Sequence, residues 1–488
     1  MNEKILILDY GSQYTQLIAR TVRGQKVYCE IHPPQMPAAA VKAFGASGII
    51  LSGGPQSAAA KDAPPINDAV FALGKPVLGV CYGMQAMVRH FGGRISAESG
   101  GREYGAAMVR QSAKCDLFDG VFDGDLQVWM SHGDKVVAPP PGFVVVAGGA
   151  GAQTNAVAAI ADEKRRLYGL LFHPEVAHTD DGGKIIGNFI RHICGLRGEW
   201  TMPNFIGMQC ENIRRITKGE GVLLALSGGV DSAVAAAILR RAIGEKLSCV
   251  MVDNGLLREG EVEQVRTAFA EVGEGLTVAD AADEFFAALK GVSDPEEKRR
   301  RIGRVFVEVF EREAKKIGAA KWLAQGTIYP DVVESSGGGS GKAVIKTHHN
   351  VGGLPERLNL KILEPLRELF KDEVRELGAA LALPQSFLSR HPFPGPGLAV
   401  RVLGEVSRQR VALARRADAV FMRELRAAGL YDKTAQAFVV LLPVSSVGVM
   451  GDGRTYENVA ALRAVTTSDF MTADWSRLPH DFLAKAST

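Results

Sequence analysis

The chain has 488 residues, room for about two to four domains of ~100–200 residues each. Its 46% hydrophobic and 23% charged content fits globular protein, and a net charge of +3 points to neither nucleic acid nor a membrane surface. The six cysteines form no C-x-x-C pair, and neither a signal-peptide pattern nor an apolar run approaching about 18 residues occurs, which together predict a cytoplasmic protein.

Short apolar runs at 5–8, 48–51, 76–80, 144–147 and 167–172 alternate with helical stretches and predict an open α/β sheet. A helix at 184–194 closes this region, and glycine, charge and proline over 195–203 read as a linker. Gly79-Val80-Cys81-Tyr82-Gly83 follows the third run and opens a helix. Small residues on both sides of Cys81 permit a strained turn that presents the side chain at a helix N-terminus, the setting of a reactive thiol. Cys29, Cys194 and Cys249 lack that setting and read as packing.

The last of these runs leads into Phe172-His173-Pro174-Glu175. Spacing i, i+2 points His173 and Glu175 to one side of an extended chain. His173 can then take the thiol proton and return it to a leaving amine while Glu175 fixes its tautomer. Cys81 in its glycine frame, with His-Pro-Glu near the end of the region, resembles the class I glutamine amidotransferases. The resemblance implies a flavodoxin-like glutaminase in which Cys81, His173 and Glu175 are catalytic and ammonia leaves from a glutamyl thioester. Ser52-Gly53-Gly54-Pro55 matches that family's glycine loop, implying an oxyanion hole from the amides of Gly54 and Tyr82. Ser131-His132-Gly133-Asp134 also fits the family, though a turn accounts for it equally well.

A second α/β series follows, with apolar runs at 222–226, 247–253, 276–279 and 322–324. Between the first run and an alanine-rich helix at 233–242 lies Ser227-Gly228-Gly229-Val230-Asp231-Ser232. Glycines, hydroxyls and a helix N-terminus make a phosphate cradle. The Lys-Ser/Thr pair of a Walker loop is absent, and Asp231 suits an anion site only if a divalent cation bridges it to the phosphates. The hexapeptide resembles the signature of the ATP pyrophosphatases (PP-loop enzymes). By that resemblance Ser227, Gly228, Gly229, Val230, Asp231 and Ser232 bind ATP, and Asp231 holds Mg2+ supplied with the nucleotide. Val252-Asp253-Asn254-Gly255 ends the next run, at the edge where ligands gather in parallel sheets, although a plain strand exit explains it as well.

Ser293-Asp294-Pro295-Glu296-Glu297 starts a helix, and the basic run Lys298-Arg299-Arg300-Arg301 behind it reads as a solvated face. Gly337-Gly338-Gly339-Ser340-Gly341 reads as a loop, and Lys346 beyond it is a candidate for neutralising an ATP phosphate. The adjacent His348 and His349 lack metal-ligand company. Arg390-His391-Pro392-Phe393-Pro394-Gly395-Pro396-Gly397 suits neither a helix nor an interior strand and marks a boundary. A helix at 406–427 and strands at 437–443 and 446–450 then predict a small α+β module. The expected domains are 1–197, 198–390 and 391–488.

Taken over its whole length, the chain resembles the glutamine-hydrolysing GMP synthase family. The further segments that carry this are Gln325-Gly326-Thr327-Ile328-Tyr329-Pro330-Asp331, His348-His349-Asn350-Val351-Gly352-Gly353-Leu354, the Arg390–Gly397 segment and Gly451-Asp452-Gly453-Arg454. The resemblance implies L-glutamine, ATP and xanthosine monophosphate as substrates, and a homodimer through the C-terminal module. Arg299, Gln436 and Asp452 match positions that contact xanthosine monophosphate, with Arg299 on a mobile lid. Relatives continue past the position of Thr488 into a further strand-forming segment, so a truncated, weakly nucleotide-binding chain is expected. Another PP-loop amidating enzyme such as NAD synthetase, a tRNA-modifying adenylating enzyme, or a non-catalytic binding protein are the alternatives.

Overall fold

The computed structural model describes residues 3–96, 103–150, 156–272, 276–318, 320–336, 359–450, 453–467 and 473–487. The chain divides into two compact units, Met1–Asn204 and Phe205–Thr488.

The strands of the first unit are β1 (Lys4–Leu8), β2 (Tyr28–His32), β3 (Gly48–Leu51), β4 (Val77–Val80), β5 (Arg94–Ser96), β6 (Glu103–Gln111), β7 (Asp125–His132), β8 (Lys135–Ala138), β9 (Val144–Gly149), β10 (Val157–Asp162) and β11 (Leu167–Leu170). Nine of them form one sheet in the order β2-β1-β3-β4-β11-β10-β9-β6-β7, and β5 pairs with β8. From β2 to β11 the pairing is parallel. Those strands read as unbroken apolar runs because both faces are covered, and every residue of β3, β4 and β11 is buried. Beyond β11 the pairing becomes antiparallel. There β7 alternates buried with less buried positions, the pattern of a sheet with one wetter face. The expected open α/β sheet is thus a mixed sheet, parallel only in part.

The stretch read as a linker is tied to the first unit. Glu3 accepts hydrogen bonds from the amides of Arg197 and Gly198, both at 2.9 Å. Trp200 lies 4.8 Å from the Tyr28 ring, and the Arg23 guanidinium covers both rings. These contacts lie within the first compact unit, Met1–Asn204.

In the second unit β12 (Gly221–Leu226), β13 (Leu247–Asp253), β14 (Leu276–Asp280), β15 (Ala320–Ala324) and β16 (Lys361–Leu363) form a parallel sheet, ordered β14-β13-β12-β15-β16. A three-stranded antiparallel sheet follows, made of β17 (Gln436–Met450), β18 (Gly453–Thr466) and β19 (Asp474–Trp475). The two strands expected at 437–443 and 446–450 are one strand, β17, whose register shifts between Leu441 and Ser445. Pro443 has no N–H to give the ladder there.

Residues on both sides of position 391 pack together. Leu398, Val402, Val411, Ala414 and Leu441 share one apolar cluster with Val252, Leu256, Phe285 and Val309. A smaller cluster around Phe421, Leu425, Tyr431, Val439 and Phe482 holds the final helix, His480–Ser487, to the helix Arg408–Ala427. Among the described residues no helix is long and apolar enough to cross a membrane.

Candidate active sites

Cys81 sits between β4 and the helix Tyr82–His90 with φ +50° and ψ −107°, a strained backbone for a residue with a side chain. Its frame explains the flanking glycines. A Cβ on Gly79 would lie 2.6 Å from the Met84 amide nitrogen, and one on Gly83 would lie 2.3 Å from the Leu51 carbonyl oxygen. Cys81 is buried, and its Sγ is 3.4 Å from the Ser131 carbonyl oxygen.

The chain after β11 brings His173 and Glu175 together, with His173 Nδ1 2.7 Å from Glu175 Oε1 and both side chains buried. Cys81 is near enough to His173 to act on its titration. Burial acts to lower the His173 pKa. The Glu175 charge and hydrogen bond, with a further contribution from Cys81, outweigh it and raise the value to about 10. The His173 amide donates to the Trp129 carbonyl at 3.0 Å, and Thr179 Oγ1 donates to the His173 carbonyl at 2.6 Å. A Cβ on Gly182 would fall 1.9 Å from the Pro174 carbonyl oxygen, so only glycine lets the following helix approach this turn.

The glycine loop after β3 reaches the same place. A Cβ on Gly53 would stand 3.0 Å from His173 Cε1, and one on Gly54 2.7 Å from the Tyr10 carbonyl oxygen. The Gly83 amide donates to the Ser52 carbonyl at 3.0 Å. Tyr82 opens its helix, so its amide has no intrahelical acceptor. The structure adds Gln85, which sequence reading passed over: Gln85 Nε2 donates to the Asp134 carbonyl at 3.0 Å. Asp134 Oδ2 in turn accepts from Ser57 Oγ at 2.8 Å. These contacts fix the Ser131–Asp134 turn against Cys81, which makes it more than a plain turn.

In the second unit the hexapeptide leaves β12 and enters the helix Val230–Ile243. Gly228 has φ +75°, and a Cβ there would meet Glu261 Oε1 at 3.1 Å. Ser227 and Ser232 stand with their hydroxyls 3.2 Å apart, and Ser232 Oγ donates to the Gly229 carbonyl at 3.0 Å. Gly326, in the segment after β15, passes close to the backbone of Asp231 and Ser232.

Two partners of this loop gave no local signal in the sequence. Lys371 Nζ lies 2.5 Å from Asp231 Oδ1, and Arg390 donates to the Gly228 carbonyl at 3.2 Å. Among the described residues no group of three or more His, Cys, Asp or Glu could by itself hold a metal ion. A magnesium ion needs only one or two carboxylates when phosphates complete its shell, so Asp231 fits as a ligand shared with a nucleotide.

The remaining candidates scatter. Gln436 starts β17 and its Nε2 donates to the Pro392 carbonyl at 3.0 Å. Arg299 lies in the helix Pro295–Ile317, paired with Glu296. Lys346, Asp452 and the 348–354 segment lie outside the described residues. The basic run is not the uniform solvated face expected. Arg299, Arg300 and Arg301 pair with Glu296 and Glu297, but Lys298 is buried and donates to the carbonyls of Ala399, at 3.2 Å, and Val402, at 2.7 Å. Lys298 anchors this segment in the core of its unit. Ile302, Val305 and Val309 share its buried face, so helical spacing from Lys298 was the signal that could have revealed this.

The mixed sheet with its cysteine elbow, and the parallel sheet with its glycine loop, place the chain among enzymes that join a class I glutamine amidotransferase to a nucleotide-binding α/β unit. The family model for glutamine amidotransferase class-I matches residues 6–193, and that for the GMP synthase C terminal domain matches residues 423–488. Relatives named glutamine-hydrolyzing GMP synthase align throughout. The one from Aromatoleum aromaticum is 58% identical over all of this chain and 94% of its own length. Those from an Azoarcus species and from Thiobacillus denitrificans are 57% and 55% identical, again over all of this chain and 94% and 95% of their own. The chain belongs to the glutamine-hydrolysing GMP synthase family.

Proposed function

We propose that the protein makes GMP from xanthosine monophosphate, using ATP and the amide nitrogen of glutamine. The observation that carries this reading is the convergence of Cys81, His173 and Glu175 in one buried group, in a chain that also builds the Ser227–Ser232 loop at the carboxyl edge of a parallel sheet. In the first unit Cys81 attacks the glutamine side-chain carbonyl, and the amides of Gly54 and Tyr82 face the oxyanion. His173 holds the thiol proton and passes it to the departing amine. Glu175 keeps the imidazole protonated at Nδ1 and correctly turned. Water then releases glutamate from the thioester.

In the second unit the amides and hydroxyls of 227–232 grip the ATP phosphates at the helix N-terminus. Asp231, together with the phosphates, would hold the magnesium, which would supply charge neutralisation. Lys371 balances Asp231 in the nucleotide-free state. Lys346 serves as a further phosphate partner, and Arg299, Gln436 and Asp452 as contacts for the acceptor nucleotide. The O2 oxygen of the purine attacks the α-phosphorus of ATP and pyrophosphate leaves. Ammonia then adds at C2 and displaces AMP. The division into domains 1–197, 198–390 and 391–488, a homodimer through the last of them, and a cytoplasmic location with no nucleic-acid partner complete the proposal.

The test is pyrophosphate release with ATP, magnesium and ammonium, offering xanthosine monophosphate, deamido-NAD or tRNA as acceptor. Release with xanthosine monophosphate alone is expected. Release with either other acceptor and none with xanthosine monophosphate would overturn the reading.

A further inference from the structure

The segment that breaks the helical and strand patterns, Arg390 to Gly397, touches three places in the second unit, two of which the proposed chemistry uses. At its start Arg390 forks. One nitrogen donates to the carbonyl of Gly228 inside the phosphate loop at 3.2 Å, the other to Gln264 Oε1 at 2.6 Å, and the guanidinium lies 3.9 Å above the Phe387 ring. At its far end Gly397 presses on the strand exit after β13. A Cβ there would fall 2.4 Å from the Leu256 carbonyl oxygen, which accepts from the Leu398 amide at 2.8 Å.

Between these ends the segment holds the first residues of β17. His391 Nε2 donates to the Tyr431 carbonyl at 2.9 Å, and its ring stacks on Tyr431 at 3.9 Å. With Nε2 as donor, Nδ1 is free to accept, and it takes the Ala437 amide proton at 3.1 Å. The next peptide along is fixed as well, because Arg258 donates to the Ala437 carbonyl at 3.0 Å. The residue before it, Gln436, is held through its own side chain by the Pro392 carbonyl.

We infer that Arg390 and His391 are positioning residues for the two halves of the synthetase chemistry: Arg390 orients the phosphate loop toward ATP, and His391 orients Gln436 toward the acceptor nucleotide. The inference rests on the function proposed above. The physical case is one of orientation. A loop whose amides must face phosphate has to turn its carbonyls away, and a carbonyl so turned needs a donor behind it. Arg390 is that donor for Gly228, and its planar fork reaches Gln264 at the same time, a double contact that lysine cannot make. His391 performs the matching task for β17, since a neutral ring that donates at one nitrogen and accepts at the other sets where Gln436 begins. Because adjacent residues perform both tasks, ATP and acceptor are held by one short piece of backbone.

The experiment measures KM for ATP and for xanthosine monophosphate in ammonia-dependent pyrophosphate release by the full chain, with melting temperature recorded for each variant. Arg390→Ala and Arg390→Lys are expected to raise the KM for ATP about tenfold, the scale of one hydrogen bond from a charged group, with the other KM within about twofold. His391→Asn, which keeps an acceptor near the Nδ1 position, is expected to raise the KM for xanthosine monophosphate modestly, and His391→Leu about tenfold, with ATP little changed. Should His391→Leu fail to fold, the Asn variant and the Arg390 pair carry the test. Equal changes in both KM values, no change in either, or full rescue by Arg390→Lys would overturn the inference alone. Unmodified protein with no pyrophosphate release on xanthosine monophosphate would overturn the functional reading and this inference with it.

Discussion

At the scale of single residues, His173 is the group whose chemistry departs most from its ordinary state at the glutaminase site. Its pKa of about 10 against an ordinary 6.5 means that it keeps a proton through the neutral range, chiefly against burial and through Glu175 and Cys81. The sign follows from linkage. A histidine whose folded pKa is raised contributes stability that is fully present below about pH 6.5 and is lost as the pH climbs through about 10. Glu175→Gln should therefore move the His173 titration down toward 6.5, read from its ring proton by NMR. The melting temperature of the variant should fall below that of the unmodified protein at pH 6 and converge on it above pH 10. A His173 titration unmoved by the substitution would show that Glu175 does not hold the proton.

At the scale of elements, the tight approach of helix to sheet at Cys81 makes its own prediction. Gly83→Ala places a methyl 2.3 Å from the Leu51 carbonyl oxygen, so the helix Tyr82–His90 must move. Such overpacking costs about 1–3 kcal/mol, and glutamine hydrolysis should fall with the melting temperature. Gly303→Ala is the opposite case. Nothing lies within 4 Å of the added methyl and the site is mid-helix, so it should stabilise by ~0.5–1 kcal/mol. Differential scanning fluorimetry with a glutaminase assay checks both, and a stable, active Gly83→Ala would contradict the elbow geometry.

These elements also mark how far sequence reading reached. Where function depends on a contiguous turn, as at Gly79–Gly83 or Ser227–Ser232, the residues are legible because glycine sterics and helix starts act locally. The antiparallel strands β6 and β7 escaped because they alternate more buried with less buried positions instead of forming apolar runs. Strand β10 escaped because its run, Val157-Ala158-Ala159-Ile160-Ala161-Asp162, holds few bulky apolar residues. Lys371 lies 140 positions from Asp231 and Arg390 lies 162 from Gly228, so no local spacing announces either contact. Lys298 was hidden differently, its place on an apolar helix face masked by the three arginines that follow.

At the scale of the whole molecule, the proposed function has one chain carry a group that frees ammonia and a loop that activates an acceptor for it. Each chemistry is testable apart from the other, because free ammonia can replace glutamine as nitrogen donor. The most direct measurement is GMP formation by the Cys81→Ala variant from xanthosine monophosphate, ATP and magnesium, run once with glutamine and once with ammonium chloride. The account predicts synthesis with ammonium close to that of the unmodified protein and none with glutamine. Glutamine-supported GMP formation that survives the loss of the Cys81 thiol would contradict it.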